Sequence, residues 1–173
     1  MVTPPVRGWE DLSAFTLDDD GEAELLAQQT ECTVVWVNAT GHPLGAVVNY
    51  MFRRGRFWVT ATDWRPRVAA MRRDNRVSVV VSSKGSGIPA RRSLTYRGLA
   101  VVHDDRATKD WFLPEFAAAM RPGDPAKQAE FARLLDSTAR VIIEVVPQRR
   151  TGFDGAKMWA TAPQVAPEDL GAQ

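Results

Sequence analysis

Gly55–Val81, GRFWVTATDWRPRVAAMRRDNRVSVVV, is read as strand, polar turn, cationic helix and strand. Phe57 to Ala61 has the aromatic and β-branched content of a buried strand, and Thr60 and Thr62 place hydroxyls where the chain leaves the sheet. Arg65 and Arg67 follow at once, flanking Pro66. A helix from about Arg67 to Arg73 aims its free backbone N–H groups and the positive end of its dipole at those hydroxyls and guanidinium groups. Guanidinium forks, hydroxyls and a helix start together are the donor set that phosphate recognition requires.

Around this stretch the patterning is that of a sheet. Runs at Thr33–Asn38 and Leu44–Phe52 are joined by Ala39-Thr40-Gly41-His42-Pro43, and Arg53-Arg54-Gly55-Arg56 turns the second run into Phe57–Ala61. Connections this short make the neighbours antiparallel. Beyond the helix, whose Val68 and Met71 share a face, strands are read at Arg76–Ser82 and Ser93–His103 with the flexible loop Lys84–Pro89 between them. Gly98 inside the latter predicts a bulge or a close approach of another backbone. Helices follow over Thr108–Met120 and, from an Asp124 cap and Pro125, to Ser137; Thr138–Val146 is the last strand. Near the start, Leu17 followed by DDDGEAELLAQQ predicts a short helix with Leu25 and Leu26 on its apolar face.

The sum is a mostly β, α+β domain: a six-stranded antiparallel barrel with peripheral helices. Residues 1–16 are read as an irregular arm, 17–161 as the single cofactor-binding domain and 162–173 as a flexible tail.

Composition excludes several classes of function. A net charge of +1 gives no global attraction to nucleic acid, so any electrostatic specificity is local. No apolar run approaches a membrane span or resembles a secretory signal, and the lone Cys32 sits among apolar strand residues, so the reading is a soluble, cytoplasmic protein with Cys32 in its core. His42 and His103, the only histidines, lie far apart, and no HExxH, cysteine pair, GxSxG elbow, GxGxxG or GxxxxGKS/T motif occurs. No metal site and no catalytic residue is assigned. Chemistry in such a chain falls to a bound cofactor. Trp36 and Trp58 are read as core, whereas Trp64, in the turn, is placed near a ligand or a dimer interface.

Glu31 to Asp154 resembles the pyridoxamine 5′-phosphate oxidase-like split β-barrel proteins, which include flavin- and deazaflavin-dependent oxidoreductases. The most specific part is FWVTATDWRPRVAAMRRDNRVSVVV, with Arg73-Asp74-Asn75-Arg76-Val77-Ser78 where the family has a basic, polar, Asn-Pro, Arg-Val-Ser segment; the family proline is missing. The resemblance implies that Arg67 binds the cofactor phosphate, with Thr60, Thr62 and Arg65 near the phosphate and ribityl chain. It implies that Val47, Val48, Asn49 and Tyr50 run along the isoalloxazine ring, Asn49 standing where the oxidases proper have a lysine. Ser93 falls on a strand that helps close the site. The family's homodimeric arrangement, with cofactor sites at the interface, implies a role for Val146–Asp154 in reaching across and contacts from Lys157 and Trp159 to the other subunit's cofactor. The arginine- and histidine-containing tail of the oxidases is absent, which argues against vitamin B6 oxidation.

The resulting expectation is an oxidoreductase acting on a small conjugated substrate, with FMN as cofactor or, given the extra arginines Arg72, Arg73, Arg91 and Arg92, the acidic-tailed deazaflavin coenzyme F-420. A non-catalytic flavin, deazaflavin or haem storage protein is the alternative. Neither nucleic acid nor membrane is an expected partner.

Overall fold

The apolar run Leu44–Phe52, continuous in sequence, is two strands in the computed structural model, which describes residues 11–166. β1 (Glu31–Val37) pairs antiparallel with β2 (Pro43–Asn49), from Glu31 opposite Asn49 to Val37 opposite Pro43. β3 (Met51–Arg53) pairs instead with β4 (Arg56–Thr62). Tyr50 lies between, its N–H donating to the Thr30 carbonyl at 3.0 Å. With β5 (Arg76–Ser82), β6 (Arg92–His103) and β7 (Arg140–Asp154), the sheet order is β2-β1-β5-β6-β7-β4-β3. β2 and β3 are therefore opposite edges of the sheet, yet one residue separates them along the chain. A sheet tied edge to edge in this way must curl upon itself. It has seven strands rather than six. No Gly or Pro marks the break at Tyr50; it is imposed by partners, β1 on one side and β4 on the other.

The helices are α1 (Asp19–Gln28), α2 (Pro66–Arg73), α3 (Arg106–Met120), α4 (Pro125–Leu135) and α5 (Gly155–Ala160). Two compact units are formed. The larger comprises Thr30–Val80 and Tyr96–Arg150; the other comprises the described parts of Met1–Gln29, Val81–Thr95 and Thr151–Gln173. The expectations for 1–10 and 167–173 lie outside the described residues.

In the larger unit the period-two alternation of the strands fills the curled sheet. Cys32, Val34 and Trp36 of β1, Val77 and Val79 of β5, and Val141, Ile143 and Val145 of β7 are buried. Phe57 is the hub: its ring centroid lies 5.5 Å from Tyr50, 4.8 Å from Phe52 and 4.9 Å from Tyr96. Burial pushes the Cys32 thiol up to about 12, so this cysteine is inert packing. A second apolar cluster joins Trp58 and Ile142 to Phe112, Leu113 and Phe116 of α3 and Leu135 of α4. α3 begins two residues before its sequence-based start because the Asp105 carboxylate accepts from the Thr108 N–H at 2.8 Å.

β3 and β4 are joined by Arg54 and Gly55, at φ 55 and 71, the left-handed pair that a two-residue hairpin requires. Gly98 marks a close backbone approach, as its place within a strand suggested. A Cβ there would lie 2.5 Å from the Val146 carbonyl oxygen. Gly98→Ala is therefore expected to destabilise the fold by ~1–3 kcal/mol in urea denaturation, and an unchanged midpoint would refute the close contact. β7 runs on to Asp154 rather than ending at Val146. Its pairing with β4 stops at Val145, so Pro147 costs no ladder hydrogen bond on that side.

In the other unit the Asp18 carboxylate caps α1 by accepting from the Gly21 N–H at 2.9 Å, and Leu25 and Leu26 are buried. Residues Leu12–Phe15 form a short 3-10 turn with Phe15 buried. α5 starts at an Asp154 cap, and the Gly155 N–H donates to the Arg91 carbonyl at 2.8 Å. Among the described residues no helix is long and apolar enough to cross a membrane.

Candidate functional site

The end of β4 and the start of α2 carry the cationic turn. Strand alternation puts Phe57, Val59 and Ala61 in the interior and leaves Thr60 and Thr62 on the other face. The Thr60 hydroxyl donates to the Val141 carbonyl at 2.9 Å, so its proton is already committed. The Thr62 hydroxyl oxygen is buried and has no hydrogen-bond partner among the described residues. Such an unsatisfied group is costly.

From Thr62 the chain turns tightly. The Asp63 N–H donates to the Ala139 carbonyl at 2.8 Å, the Arg65 N–H to the Thr62 carbonyl at 3.0 Å, and α2 opens with Arg65 as N-cap and Pro66 in its first turn. No side chain caps this helix start. The sequence places the first helical residue at Arg67; the structure adds Pro66.

Arg67 is half-buried, and among the described residues no carboxylate pairs with it or with Arg65. Burial, reinforced by the neighbouring Arg65 charge, holds the Arg67 guanidinium below its ordinary range. An arginine nevertheless stays protonated, so the turn carries a half-buried cation with no carboxylate partner among the described residues at a helix start that no side chain caps. An anion bound there would meet both. The nearest carboxylate in sequence, Asp63, is taken by Arg72 at 2.5 Å.

Sequence reasoning missed Arg140. The β4–β7 register sets it directly opposite Thr62, on the same face. It too is partly buried, its guanidinium held below the ordinary range by desolvation, and its Nε donates to the Leu135 carbonyl at 2.9 Å. In sequence it reads only as the polar flank of an apolar strand; strand pairing alone brings it to the turn.

The four residues expected along a flavin ring divide by strand parity. Val47, 67% exposed, and Asn49 face away from the interior, whereas Val48 pairs with the buried Cys32. Asn49 Nδ2 donates to the Thr30 carbonyl at 3.4 Å. Tyr50 is buried against Phe57, and burial pushes its phenol upward, so it stays neutral. Ser93, Lys157 and Trp159 fall in the other unit. There Lys157 Nζ donates to an Asp18 carboxylate oxygen at 2.9 Å and to the Thr16 carbonyl at 3.0 Å, and Trp159 is half-buried.

Of the arginines expected to suit an acidic cofactor tail, three have protein partners. Arg72 pairs with Asp63, Arg73 donates to the Val37 carbonyl at 2.9 Å, and Arg92 pairs with Glu24. Arg91 is exposed. Trp64, beside Arg65, is 72% exposed, as its position in a turn suggested.

His103 contacts Glu144. Its Nε2 is 2.8 Å from Glu144, whose other oxygen accepts from Arg56 at 2.7 Å. This ionic cluster holds the buried Glu144 beside Trp58, whose ring centroid is 5.9 Å from that of His103. Among the described residues no group of three or more His, Cys, Asp or Glu could hold a metal ion.

No family model matches this sequence, and no curated protein matches it. Solved structures do. A conserved hypothetical protein of Mycobacterium tuberculosis superimposes with a TM-score of 0.72 at 16% identity, over 84% of this chain and 90% of that one. A candidate pyridoxamine 5′-phosphate oxidase of Listeria innocua does so with a TM-score of 0.57 at 19% identity, over 76% and 94%. This chain has the pyridoxamine 5′-phosphate oxidase-like split-barrel fold. An F-420 reductase shares it, with a TM-score of 0.53 at 21% identity, over 73% of this chain and 92% of that one. The split barrel explains why β2 and β3 form opposite edges of one curled sheet with Tyr50 at their junction.

Proposed function

We propose that this split barrel is an oxidoreductase that binds a flavin or a deazaflavin and acts on a small conjugated substrate. The observation that carries the reading is the turn itself: Arg67 partly buried with no carboxylate partner among the described residues, Arg65 exposed two residues before it and α2 without a side-chain cap. These residues fit a phosphate ester. Arg67 would take its charge, and Arg65 and the α2 start would add donors. Arg140, opposite Thr62, would supply further positive charge.

When bound, the ring would supply hydride or electron transfer that these side chains do not perform. The chain's own part is to bind the phosphate and to present the exposed β2 face, Val47 and Asn49, to the ring. FMN matches a single phosphate cradle. The deazaflavin stays in the proposal because an F-420 reductase shares the fold, although the pairing of Arg72, Arg73 and Arg92 leaves fewer arginines for its acidic tail.

We also propose a homodimer. β2 is an edge strand with Leu44 45% and Val47 67% exposed, apolar side chains that a free edge does not favour. Val47→Lys is expected to shift a dimer to monomer in light scattering coupled to gel filtration; an unaltered dimer would remove β2 from the interface.

The experiment that tests the function is a cofactor titration followed by turnover. The protein is titrated with FMN and with coenzyme F-420, and the bound form is then mixed with a reductant and a panel of quinones and enones. Reoxidation of the cofactor by an acceptor supports the enzyme. Binding without any redox change sinks the enzyme and leaves a cofactor-binding protein.

A further inference from the structure

Away from the cationic turn, β1, β5, β6 and β7 form an open groove of about 720 Å³ within the larger unit. That volume lies in the range of small-molecule sites. Val35 and Val37, the half-buried outward residues of β1, and the exposed Pro43 supply its apolar lining, while Trp36 and Val77 border it with side chains buried in the core. Three arginines also line it: Arg76, Arg97 and Arg149. No carboxylate does.

The three are not equivalent. Arg76 is neutralised by Asp74, which accepts from its Nε at 2.9 Å and from its Nη2 at 2.6 Å. Arg97 and Arg149 are exposed, stand on the adjacent strands β6 and β7, and have no ion-pair partner among the described residues. Between them runs the stretch where Gly98 meets the Val146 carbonyl, and the bare glycine lowers the groove wall there. Ser78 and Gln148 add neutral donors and acceptors.

We infer that this groove binds an amphipathic organic anion, with its apolar body on Val35, Val37 and Pro43 and its acidic group held by Arg97 and Arg149. Two uncompensated guanidinium groups beside an apolar surface select this class: a neutral apolar ligand would leave both forks unused, and a small inorganic anion would leave the lining wet. The site is separate from Thr62, Arg65 and Arg67, none of which lines it. The inference therefore does not depend on the cofactor reading.

The test uses two fluorescent probes that share one body. Anilinonaphthalene sulfonate carries an acidic group; phenylnaphthylamine is the same skeleton without it. The full chain is expected to bind the sulfonate about tenfold or more tightly than the neutral probe. An Arg97→Ala/Arg149→Ala pair is expected to abolish that preference, and so is an Arg97→Gln/Arg149→Gln pair, which keeps side-chain length. Both pairs change exposed residues and are expected to melt as the wild type does. Arg67→Ala should leave sulfonate binding unchanged. Equal affinity for the two probes, undiminished sulfonate binding by the glutamine pair, or loss of sulfonate binding in Arg67→Ala would each overturn the assignment. Failure here leaves the cofactor proposal standing, because FMN affinity is read separately on the same variants.

Discussion

Arg67→Ala is expected to weaken cofactor binding about 10- to 100-fold, ~1.5–3 kcal/mol, the range for loss of a hydrogen bond to a charged group. The size follows from the environment of the side chain. Arg67 is half-buried and lies beside Arg65, and among the described residues no carboxylate compensates its charge. The same variant should lose much of the thermal stabilisation that FMN gives the wild type, since a ligand stabilises only as far as its concentration exceeds its Kd. Without ligand, Arg67→Ala should be no less stable than the wild type, because it removes a strained cation rather than a satisfied one. Isothermal titration and melting curves read both effects. Unchanged FMN and F-420 affinity would take Arg67 out of the site.

Phe57→Ala is expected to cost ~3–5 kcal/mol of folding stability, a large part of what a domain of this size possesses. Phe57 has no exposed surface and meets Tyr50, Phe52 and Tyr96 within 5.5 Å, centroid to centroid. Truncation would open a cavity beside Tyr50, the residue at which the two sheet edges meet. Urea denaturation with a fitted slope measures the loss. A change below about 1 kcal/mol would contradict the placement of Phe57 at the centre of the barrel.

The sequence was most legible where local chemistry decides the structure. The α2 helix, which starts one residue before its sequence-based start, and the hairpin at Arg54-Gly55 obey short-range rules. Gly98 was legible for the same reason. The break at Tyr50 was not, because Val47 to Phe52 is uniformly strand-forming and the choice between β1 and β4 as partner is made by distant residues. The extension of β7 past Pro147 was hidden because the end of its β4 partner, which makes the proline harmless, is a property of register. Likewise, Thr60 and Thr62 look interchangeable in sequence. Only the sheet separates the hydroxyl committed to Val141 from the one left without a partner among the described residues. Arg140 and the Arg97–Arg149 groove emerge from strand pairing, which no local pattern encodes.

The most direct measurement compares each cofactor with its phosphate-free counterpart: FMN against riboflavin, and coenzyme F-420 against its unphosphorylated deazaflavin chromophore. Within each pair the ring is the same; FMN and riboflavin differ only in the phosphate, whereas coenzyme F-420 carries its acidic tail as well, so for that pair the Arg67→Ala arm assigns the preference to the turn. If Arg65, Arg67 and the α2 start hold a cofactor phosphate, at least one phosphate-bearing molecule binds about 100-fold more tightly than its counterpart, and Arg67→Ala narrows the gap. If neither phosphorylated molecule is preferred, the cationic turn does not hold a cofactor phosphate.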